Sequence, residues 1–373
     1  MLASLAFASL VLALIPLALL LSNLLFYRRL PPAEGAAEPL SVLIPARNEA
    51  ERIGPVLASV LENRGLTFEV VVGDDSSTDG TAEMVKALAA SDARVRLVTV
   101  PALPAGWMGK NNALQFLSTQ ARYPNALFLD ADVTLAPDGL ARISQHLSAR
   151  PDLALTSGFP KQIAGGFWEQ MLIPLIHFVL LGYLPFAGMR FTRYAAFATA
   201  CGQLVAVKLD AYRAIGGHGA IRDRIHDGVA LPRVFRAKGF DTDLFDATDL
   251  SATRMYTNAP DLFRGLAKNA HEGMATPVGL PVWTTLLFGG EVLPWLLAPL
   301  AWATGADEAL RYALWAVAAG LLTRIVLALR FEQPWLGVVL NPFSILTLLA
   351  LQWTAFRRHR AGHRVAWKGR SYG

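Results

Sequence analysis

Two aspartates, Asp130 and Asp132, follow directly on an apolar run at residues 126–129. The run predicts a buried strand, and the i and i+2 spacing puts both carboxylates at its carboxyl end, where open α/β sheets bind ligands. Mg²⁺ and Mn²⁺ prefer such oxygen ligands and are usually held by one or two carboxylates plus substrate phosphates. The pattern therefore predicts a divalent metal that carries a diphosphate. The alternative is a solvated turn after a strand, because so short a motif also occurs by chance.

Lys110 lies where the glycine-punctuated loop at residues 103–109 enters a predicted helix. A lysine beside a helix N-terminus is electrostatically unfavourable unless an anion lies there, so we expect a phosphate as its partner. The alternative is an exposed surface lysine.

Asp74 and Asp75 follow a second apolar run, at residues 68–72. At the carboxyl end of a strand, a carboxylate can accept a hydrogen bond from a base N–H or a ribose hydroxyl. The Ser, Thr and Asp residues that come next also fit helix capping, and we expect Thr78 or Asp79 to cap the following helix.

His226 and Asp227 precede helical spacing at residues 229–238. Helix capping is the simplest role for Asp227, and it is compatible with catalysis. The pair also raises the alternatives of a hydrolytic dyad or a metal site. No Gly-x-Ser-x-Gly or His-x-x-x-His spacing in the sequence supports either one.

The elements that must position these side chains are predicted from periodicity. Strand and helix patterns alternate from residue 40 onward, and a further strand is predicted at residues 200–207. Four βα units in succession predict an α/β fold with a mainly parallel, doubly wound sheet. The predicted strands are residues 40–44, 68–72, 95–100 and 126–129, and the predicted helices include residues 51–63 and 81–90.

Composition indicates a membrane protein. The 373 residues are 53% apolar, and residues 1–27 carry no charge before Arg28 and Arg29. That run is long enough to cross a bilayer; a cleaved signal peptide would need a basic start and a small-residue cleavage site. The single Cys201 fits a reducing cytosolic face. Basic residues cluster beside apolar segments, which favours anionic lipid headgroups, and the absence of a nucleic-acid-binding motif excludes that class.

Four later segments bear on membrane topology. Residues 167–187 are apolar but interrupted by Pro174 and Pro185, and we predict a membrane-dipping segment or the wall of an acceptor groove. Three apolar segments follow at 281–303, 309–329 and 335–356, before a basic tail at 357–373. If all three crossed, the tail and residues 31–280 would lie on opposite faces, against the positive-inside tendency. We therefore expect either the first or the third not to cross fully.

Taken together, five motifs resemble inverting nucleotide-sugar glycosyltransferases of family 2, which have the GT-A fold, and in particular their membrane-anchored branch of carotenoid- and hopanoid-associated transferases. The similarity covers residues 38–275, and the motifs occur in the family's order. They are Val42-Leu43-Ile44-Pro45-Ala46-Arg47-Asn48-Glu49, Asp74-Asp75-Ser76-Ser77-Thr78-Asp79-Gly80-Thr81, Gly106-Trp107-Met108-Gly109-Lys110, Asp130-Ala131-Asp132 and His226-Asp227.

The resemblance implies a role for each motif. A UDP-sugar donor would be held through its uracil and ribose and through its diphosphate, Asp132 with Asp130 would bind Mg²⁺ or Mn²⁺, and Asp227 would be the catalytic base. The donor-binding positions are Pro45, Ala46, Arg47, Glu49, Asp74, Asp75, Lys110 and Asp130.

The sequence departs from the family pattern at two places. The family usually has Glu-Asp where this chain has His226-Asp227, so the neighbour of the base is changed. The Gln-x-x-Arg-Trp motif of processive synthases is absent, with Arg264 and Lys268 in about its place, which favours a single transfer. His226, Arg264 and Lys268 are the candidate acceptor-side residues, although residues 254–274 also fit a plain interfacial helix.

The function that follows is a multi-pass membrane glycosyltransferase with its catalytic domain on the cytoplasmic face. It would move a sugar from a nucleotide-sugar to a lipid or isoprenoid acceptor. Two alternatives are transfer to a soluble acceptor and a catalytically idle nucleotide-sugar-binding membrane protein.

Overall fold

The computed structural model describes residues 1–268, 270–362, 365–367 and 370–372. Its helices are α1 Leu2–Asn23, α2 Ala50–Leu61, α3 Thr81–Ser91, α4 Gly109–Gln120, α5 Gly139–Ser148, α6 Phe167–Leu172, α7 Leu175–Tyr183, α8 Phe186–Phe191, α9 Leu209–Ala214, α10 Asp227–Ala237, α11 Ala259–Lys268, α12 Gly279–Leu287, α13 Leu293–Ala303, α14 Asp307–Arg330, α15 Leu336–Val339 and α16 Asn341–Arg360. Its strands are β1 Leu40–Ala46, β2 Phe68–Asp74, β3 Val95–Thr99, β4 Asn125–Leu129, β5 Val133–Leu135, β6 Leu153–Gln162, β7 Leu204–Lys208, β8 Asp241–Thr253, β9 Val365–Trp367 and β10 Arg370–Tyr372.

The chain forms two compact units. The sheet unit comprises residues 27–163 and 188–254, and the helical unit comprises residues 1–26, 164–187 and 255–373. Short 3₁₀ turns and one π-helical turn, Phe288–Val292, complete the regular structure of the described residues.

In the sheet unit the strands lie in the order β3-β2-β1-β4-β7-β6-β8-β5. The pairings from β3 to β4 are parallel, as is that of β6 with β8, whereas β7 is antiparallel to both neighbours and β5 is antiparallel to β8. The predicted mainly parallel α/β sheet is confirmed. Strand β7 is shorter than the predicted 200–207 and begins only at Leu204.

Strands β1, β2 and β4 are buried on both faces of the sheet, which explains why their sequences are mostly apolar. Along β1, Val42 and Ile44 pack on one face with α2, α3 and α5, because alternate side chains point to opposite faces. Leu43 packs on the other face with residues of α4 and α10. Helices on both sides leave the carboxyl ends of β1, β2 and β4 as the open edge.

In the helical unit, α1 and α14 pack through alanines, including Ala13 and Ala316. Gly289 and Gly290 in the π-helical turn lie against α1: a Cβ on Gly290 would be 3.0 Å from the carbonyl carbon of Leu12. Ser9 Oγ also donates to Gly289 O. Small residues of this kind let helix backbones approach closely.

Among the described residues, three helical stretches are long and apolar enough to cross a membrane: Leu2–Asn23, Gly279–Ala303 and Asp307–Arg330. The predicted segment at 335–356 instead breaks at Leu340 into α15 and α16, and α16 ends in Arg357, Arg358 and Arg360. The segment at 167–187 is divided into α6 and α7 at Pro174. Arg364 and Lys368 of the predicted basic tail lie outside the described residues.

Candidate functional site

The site is built at the carboxyl ends of β1, β2 and β4. Ala46, at the end of β1, is paired with Asp74 of β2, so the two strands end level with each other. The backbone N–H of Asp75 donates to Ala46 O at 2.8 Å, which extends the pairing by one step. Parallel strands bring their carboxyl ends to one edge, and the predicted donor-binding residues on β1 and β2 therefore lie together.

The loops after β1 and β2 are tied to each other. Arg47 Nη1 donates to Asp75 O at 2.6 Å, and the Glu49 N–H donates to Thr81 Oγ1 at 2.9 Å. Asp75 itself is buried, with 6% of its surface exposed. Arg47, Glu49 and Asp75 thus form one wall whose two loops are held together by hydrogen bonds. A ligand that binds one loop therefore also depends on the position of the other loop.

Two residues of these loops have a left-handed backbone. Asn48 has φ 53° and Ser76 has φ 58°, a conformation that costs a non-glycine residue free energy and occurs often at functional sites. Asn48 Oδ1 accepts from the Thr78 N–H at 2.8 Å, which holds its loop in that conformation.

The predicted capping role falls on Asp79. Asp79 Oδ1 accepts from the Thr81 N–H at 3.1 Å, at the start of α3, and its Oδ2 accepts from the Ala50 N–H at 3.0 Å, at the start of α2. Burial raises the pKa of the Asp79 carboxyl, but the hydrogen bonds from the Thr81 hydroxyl and from the Ala50 and Thr81 N–H groups together outweigh burial and lower it. One carboxylate therefore serves the N-termini of two helices, which favours the ionised form.

Asp130 and Asp132 flank the turn between β4 and β5. Asp130 is one-quarter exposed, at 26% of its side chain, so the turn that follows β4 is only partly solvated. Burial, and then the negative charges of Asp130 and Glu49, raise the pKa of Asp132 to about 6. Carboxylates are thus crowded at this edge, and the positive charges of Arg52 and Lys110 offset their effect on Asp132 only in part.

That crowding fits a divalent cation. A bound cation would remove the repulsion that raises the pKa of Asp132. No group of three or more His, Cys, Asp or Glu side chains suited to a metal occurs within the described residues. Two carboxylates alone match the case in which substrate phosphates and water complete the shell.

Lys110 is the second residue of α4 and reaches across to the same edge. Its Nζ lies 2.8 Å from Asp130 Oδ1 and 3.1 Å from Asp227 Oδ2, and it donates to Gly202 O at 2.9 Å. Burial lowers the pKa of Lys110, but the two carboxylates outweigh burial and raise it above its usual value. The anionic partners of Lys110 in the structure are therefore two carboxylates of the protein, and the phosphate partner stays a prediction.

Asp227 is the first residue of α10, as predicted, and it is joined to Asp130 through Lys110. Burial opposes ionisation of the Asp227 carboxyl, but Lys110 and then His218 outweigh burial and lower its pKa to about 2. Asp227 Oδ1 also accepts from the adjacent Gly228 N–H at 2.8 Å. His226, at the N-cap position of α10, makes no side-chain capping bond.

Two glycines make room for Asp227. A Cβ on Gly202 would lie 2.4 Å from Asp227 Oδ1, and a Cβ on Gly228 would lie 2.5 Å from Ala200 O. The Ala200 N–H donates to Gly228 O at 2.6 Å. The segment before β7 is therefore in direct contact with the start of α10, and any side chain at Gly202 would displace the carboxylate.

Sequence reasoning missed three residues of the site: Gly202, Gln203 and His218. Gln203 O accepts from the Asp130 N–H at 2.9 Å, and Gln203 Nε2 donates to Asp132 Oδ1 at 3.4 Å. For Gln203, the only signal in the sequence was a polar side chain just before an apolar strand. Its meaning depends on the antiparallel pairing of β7 with β4, which brings the start of β7 to the end of β4.

His218 lies close to Asp227. Its Nδ1 is 2.7 Å from the Tyr212 hydroxyl, and burial lowers its pKa to about 4, so the ring is neutral at pH 7. A cavity of about 10 Å³, lined by His218, Asp227, Gly202 and apolar side chains, lies beside it. That volume is about enough for one water molecule.

The remaining acceptor candidates lie in the other compact unit. Arg264 and Lys268 are on α11, where Arg264 Nη2 is 2.5 Å from Asp261 Oδ1. Asn269, which follows them in the sequence, lies outside the described residues.

Known proteins share this architecture. Residues 41–216 match the family described as Glycosyl transferase family 2. The chain is 26% identical over 345 residues to 4,4'-diaponeurosporenoate glycosyltransferase of Staphylococcus aureus, over 89% of this chain and 88% of that protein. It is also similar to the structure of mannosyltransferase PcManGT from Pyrobaculum calidifontis in complex with GDP-Man and Mn²⁺, with a TM-score of 0.57 and 20% identity, over 96% of this chain and 99% of that one.

The sequence expectations on family, fold and enzyme class are confirmed by these similarities. Residues 41–216 form a glycosyl transferase family 2 domain, the sheet unit has the GT-A fold, and the protein is a glycosyltransferase.

Proposed function

We propose that this glycosyltransferase moves a hexose from a nucleotide-sugar, specifically a UDP-sugar, to a lipid or isoprenoid acceptor, with inversion at the anomeric carbon. The observation that carries the proposal is the chain of contacts from Asp130 through Lys110 to Asp227, at 2.8 and 3.1 Å. It joins Asp130, one of the two carboxylates suited to a metal–diphosphate, to the carboxylate suited to a base.

The donor would lie along the wall formed by Arg47, Glu49 and Asp75, with Pro45, Ala46 and Asp74 beneath it at the ends of β1 and β2. Backbone and carboxylate oxygens in this position suit the N–H groups of a base and the hydroxyls of a ribose. PcManGT binds GDP-Man, so the identity of the base is a question for the assay below.

The leaving diphosphate would be held by Asp130 and Asp132 through Mg²⁺ or Mn²⁺, which when bound stabilises the charge that develops on the leaving oxygen. PcManGT contains Mn²⁺, which supports a divalent metal here. Lys110 supplies a second positive charge at the same edge.

Asp227 is the proposed base, and its neighbour Lys110 explains how its basicity is controlled. With a pKa of about 2, Asp227 is ionised but holds a proton weakly. An incoming diphosphate competes for Lys110, and loss of that counter-charge raises the pKa of Asp227 towards the range useful for removing a proton. The base thus becomes effective when the donor is bound. A single in-line displacement with Asp227 on the acceptor side gives inversion.

The acceptor class is supported by the apolar helices and by the carotenoid glycosyltransferase from S. aureus. Its name specifies a carboxylic acid as the molecule glycosylated, and a carboxylate acceptor attacks without losing a proton. His226, Arg264 and Lys268 are the proposed acceptor-side residues.

The proposed location is the cell membrane, with the catalytic domain facing the cytoplasm. Arg28 and Arg29 follow the first candidate span, which favours a cytoplasmic location for what comes next. With three spans, the basic tail returns to that face. In a variant with Cys201→Ser and Ser91→Cys, we expect no labelling of intact cells by an impermeant maleimide; strong labelling would contradict this topology.

The function is tested with purified full-length protein in detergent, a lipid extract as acceptor, and radiolabelled UDP-glucose or GDP-mannose with Mn²⁺, Mg²⁺ or EDTA. We expect label to enter the lipid phase with UDP-hexose and metal, and proton NMR of the product to show the inverted anomer. Transfer only to water-soluble acceptors would overturn the lipid assignment. Nucleotide binding without turnover on any acceptor would favour an idle binding protein.

A further inference from the structure

The sheet unit contains a second cavity, of about 160 Å³, which we call the arginine pocket. Four arginines line it together with Asp241 and Thr242: Arg150, Arg190, Arg193 and Arg236. It lies where β6 and β8 begin. Both strands run in the direction of β4, so the arginine pocket is at the sheet edge opposite the carboxyl ends that form the catalytic site.

Positive charge exceeds negative charge around this pocket. Asp243 Oδ2 is shared by Arg190 at 2.5 Å, Arg150 at 3.3 Å and His146 at 3.2 Å. Arg193 contacts Asp241 at 3.0 Å and Asp152 at 3.3 Å. Four guanidinium groups are therefore balanced by three carboxylates, one of which is shared by two arginines and a histidine.

Arg236 is the buried arginine of this pocket, with 4% of its surface exposed. Its Nε donates to Thr242 Oγ1 at 2.7 Å, and its Nη atoms donate to the carbonyl oxygens of Thr192, Met189 and Thr242. Burial, together with the like charges of Arg150 and Arg193, lowers the pKa of Arg236, although Asp241 and Asp243 act in the opposite direction. A buried guanidinium whose donors bind neutral oxygens favours an additional anion nearby.

Guanidinium groups recognise phosphate in particular, since their fork of donors matches two phosphate oxygens. The rim of the pocket indicates where that phosphate comes from. Phe191 is 76% exposed and Tyr194 is 71% exposed, and they alternate with Arg190 and Arg193 along the chain. Exposed aromatic rings beside arginines are typical of segments that lie at the headgroup level of a bilayer. This segment also follows the apolar residues 167–187 directly in sequence.

We propose that the arginine pocket binds the phosphate of an anionic phospholipid headgroup, with Phe191 and Tyr194 inserted into the bilayer interface beside it. This lipid is not the acceptor of the transfer reaction, because the pocket and the catalytic site lie at opposite edges of the sheet.

The test is lipid retention by the full-length protein in detergent, measured by native mass spectrometry during titration with phosphatidylglycerol or phosphatidylcholine. We expect preference for phosphatidylglycerol, weakened about fivefold by each of Arg150→Gln and Arg193→Gln. Both side chains are about half exposed, so folding should be retained. The matched control is Arg213→Gln, an equally exposed arginine of the same unit that pairs only locally with Asp210. Equal retention by control and pocket variants would overturn the proposal.

A second arm separates a lipid from a soluble phosphate. Phe191→Ser with Tyr194→Ser should weaken retention of phosphatidylglycerol and leave binding of inorganic phosphate, followed by calorimetry, unchanged. If millimolar phosphate displaces the lipid completely and the aromatic substitutions have no effect, the ligand is a soluble phosphate and the lipid assignment is wrong. Neither arm depends on sugar transfer, so the result stands whether or not the proposed function holds.

Discussion

The sheet unit and the helical unit each bury a charged centre, and the two centres are built from different contacts. In the sheet unit, Lys110 lies between Asp130 and Asp227 in direct ion pairs. In the helical unit, Glu291 Oε2 accepts from Asn341 Nδ2 at 2.7 Å, and Arg324 donates to carbonyl oxygens, including Gly337 O at 3.2 Å.

The centre in the sheet unit can exchange a protein partner for a ligand, whereas the centre in the helical unit holds helices together. An ion pair at an open edge can give up one member to a ligand of the same charge, as a diphosphate would replace a carboxylate at Lys110. A carboxylate bonded to an amide on another helix has no such alternative partner. Its hydrogen bond holds α16 to the π-helical turn, and removing it leaves a buried donor without an acceptor. Substitutions should therefore reduce turnover in the first centre and stability in the second.

The largest effect is expected for Asp227→Asn. This variant keeps the shape of the side chain but cannot accept a proton, so turnover with a hydroxyl acceptor should fall by roughly 10² to 10⁴. UDP affinity and the thermal unfolding midpoint should stay close to wild type, with Asp210→Asn as an exposed control. His226→Ala should lower turnover less than Asp227→Asn does. Normal turnover by Asp227→Asn would mean that the base lies elsewhere or that the acceptor is a carboxylate, and the ester or ether linkage of the product separates these two cases.

Asp132→Asn should give the next largest loss of turnover. Loss of one metal-binding carboxylate should lower turnover by roughly 10² or more, because a metal contributes several kcal/mol of charge stabilisation. Mn²⁺ titrations of the initial rate should show that higher metal concentration restores part of the loss, and Asp130→Asn should behave similarly. Full activity of both variants in EDTA would exclude the metal site.

Gly202→Ala tests the steric contact with Asp227. The new Cβ would lie 2.4 Å from Asp227 Oδ1, so the carboxylate must move. A displacement of about 1 Å in a catalytic group costs roughly 10² in rate, and we expect a fall in kcat of that order. Gly54→Ala is the matched control, because its Cβ meets only Met84 Cε at 3.5 Å. Equal rates for the two alanine variants would show that Asp227 needs no fixed position.

The smallest effect on catalysis is expected in the helical unit. Glu291→Leu should lower the free energy of unfolding by about 1–3 kcal/mol, the cost of leaving a buried donor without an acceptor, while turnover per folded molecule is unchanged. Thermal unfolding in detergent measures the first quantity, and activity normalised to folded protein measures the second. The control is Glu308→Gln, at an exposed position of α14. A loss of turnover without a loss of stability would assign Glu291 to catalysis and remove the distinction between the two centres.

Local patterns were enough to predict the parts of the site that lie on single elements. Asp74 and Asp130 end apolar runs that became β2 and β4, and Asp227 begins the predicted helix α10. The partners of Lys110 could not be predicted, because Asp227 and Gly202 reach it only through long-range packing. Gln203 was missed for the same reason: its position depends on the pairing of β7 with β4, and β7 carries no signal for that partner. Periodicity also could not show that the last apolar segment breaks at Leu340, since its hydrophobicity continues across the break.

The contact of α1 with Gly289 and Gly290 has a practical consequence for producing the protein. Membrane-anchored enzymes are often shortened at the N-terminus to obtain soluble material, on the assumption that the first helix is a detachable tether. Here α1 covers two glycines of another helix and supplies the hydroxyl of Ser9 to the carbonyl of Gly289. Deleting residues 1–26 would uncover a strip of bare backbone in the helical unit. Expression of the whole chain in detergent or nanodiscs is therefore the better strategy for biochemical work.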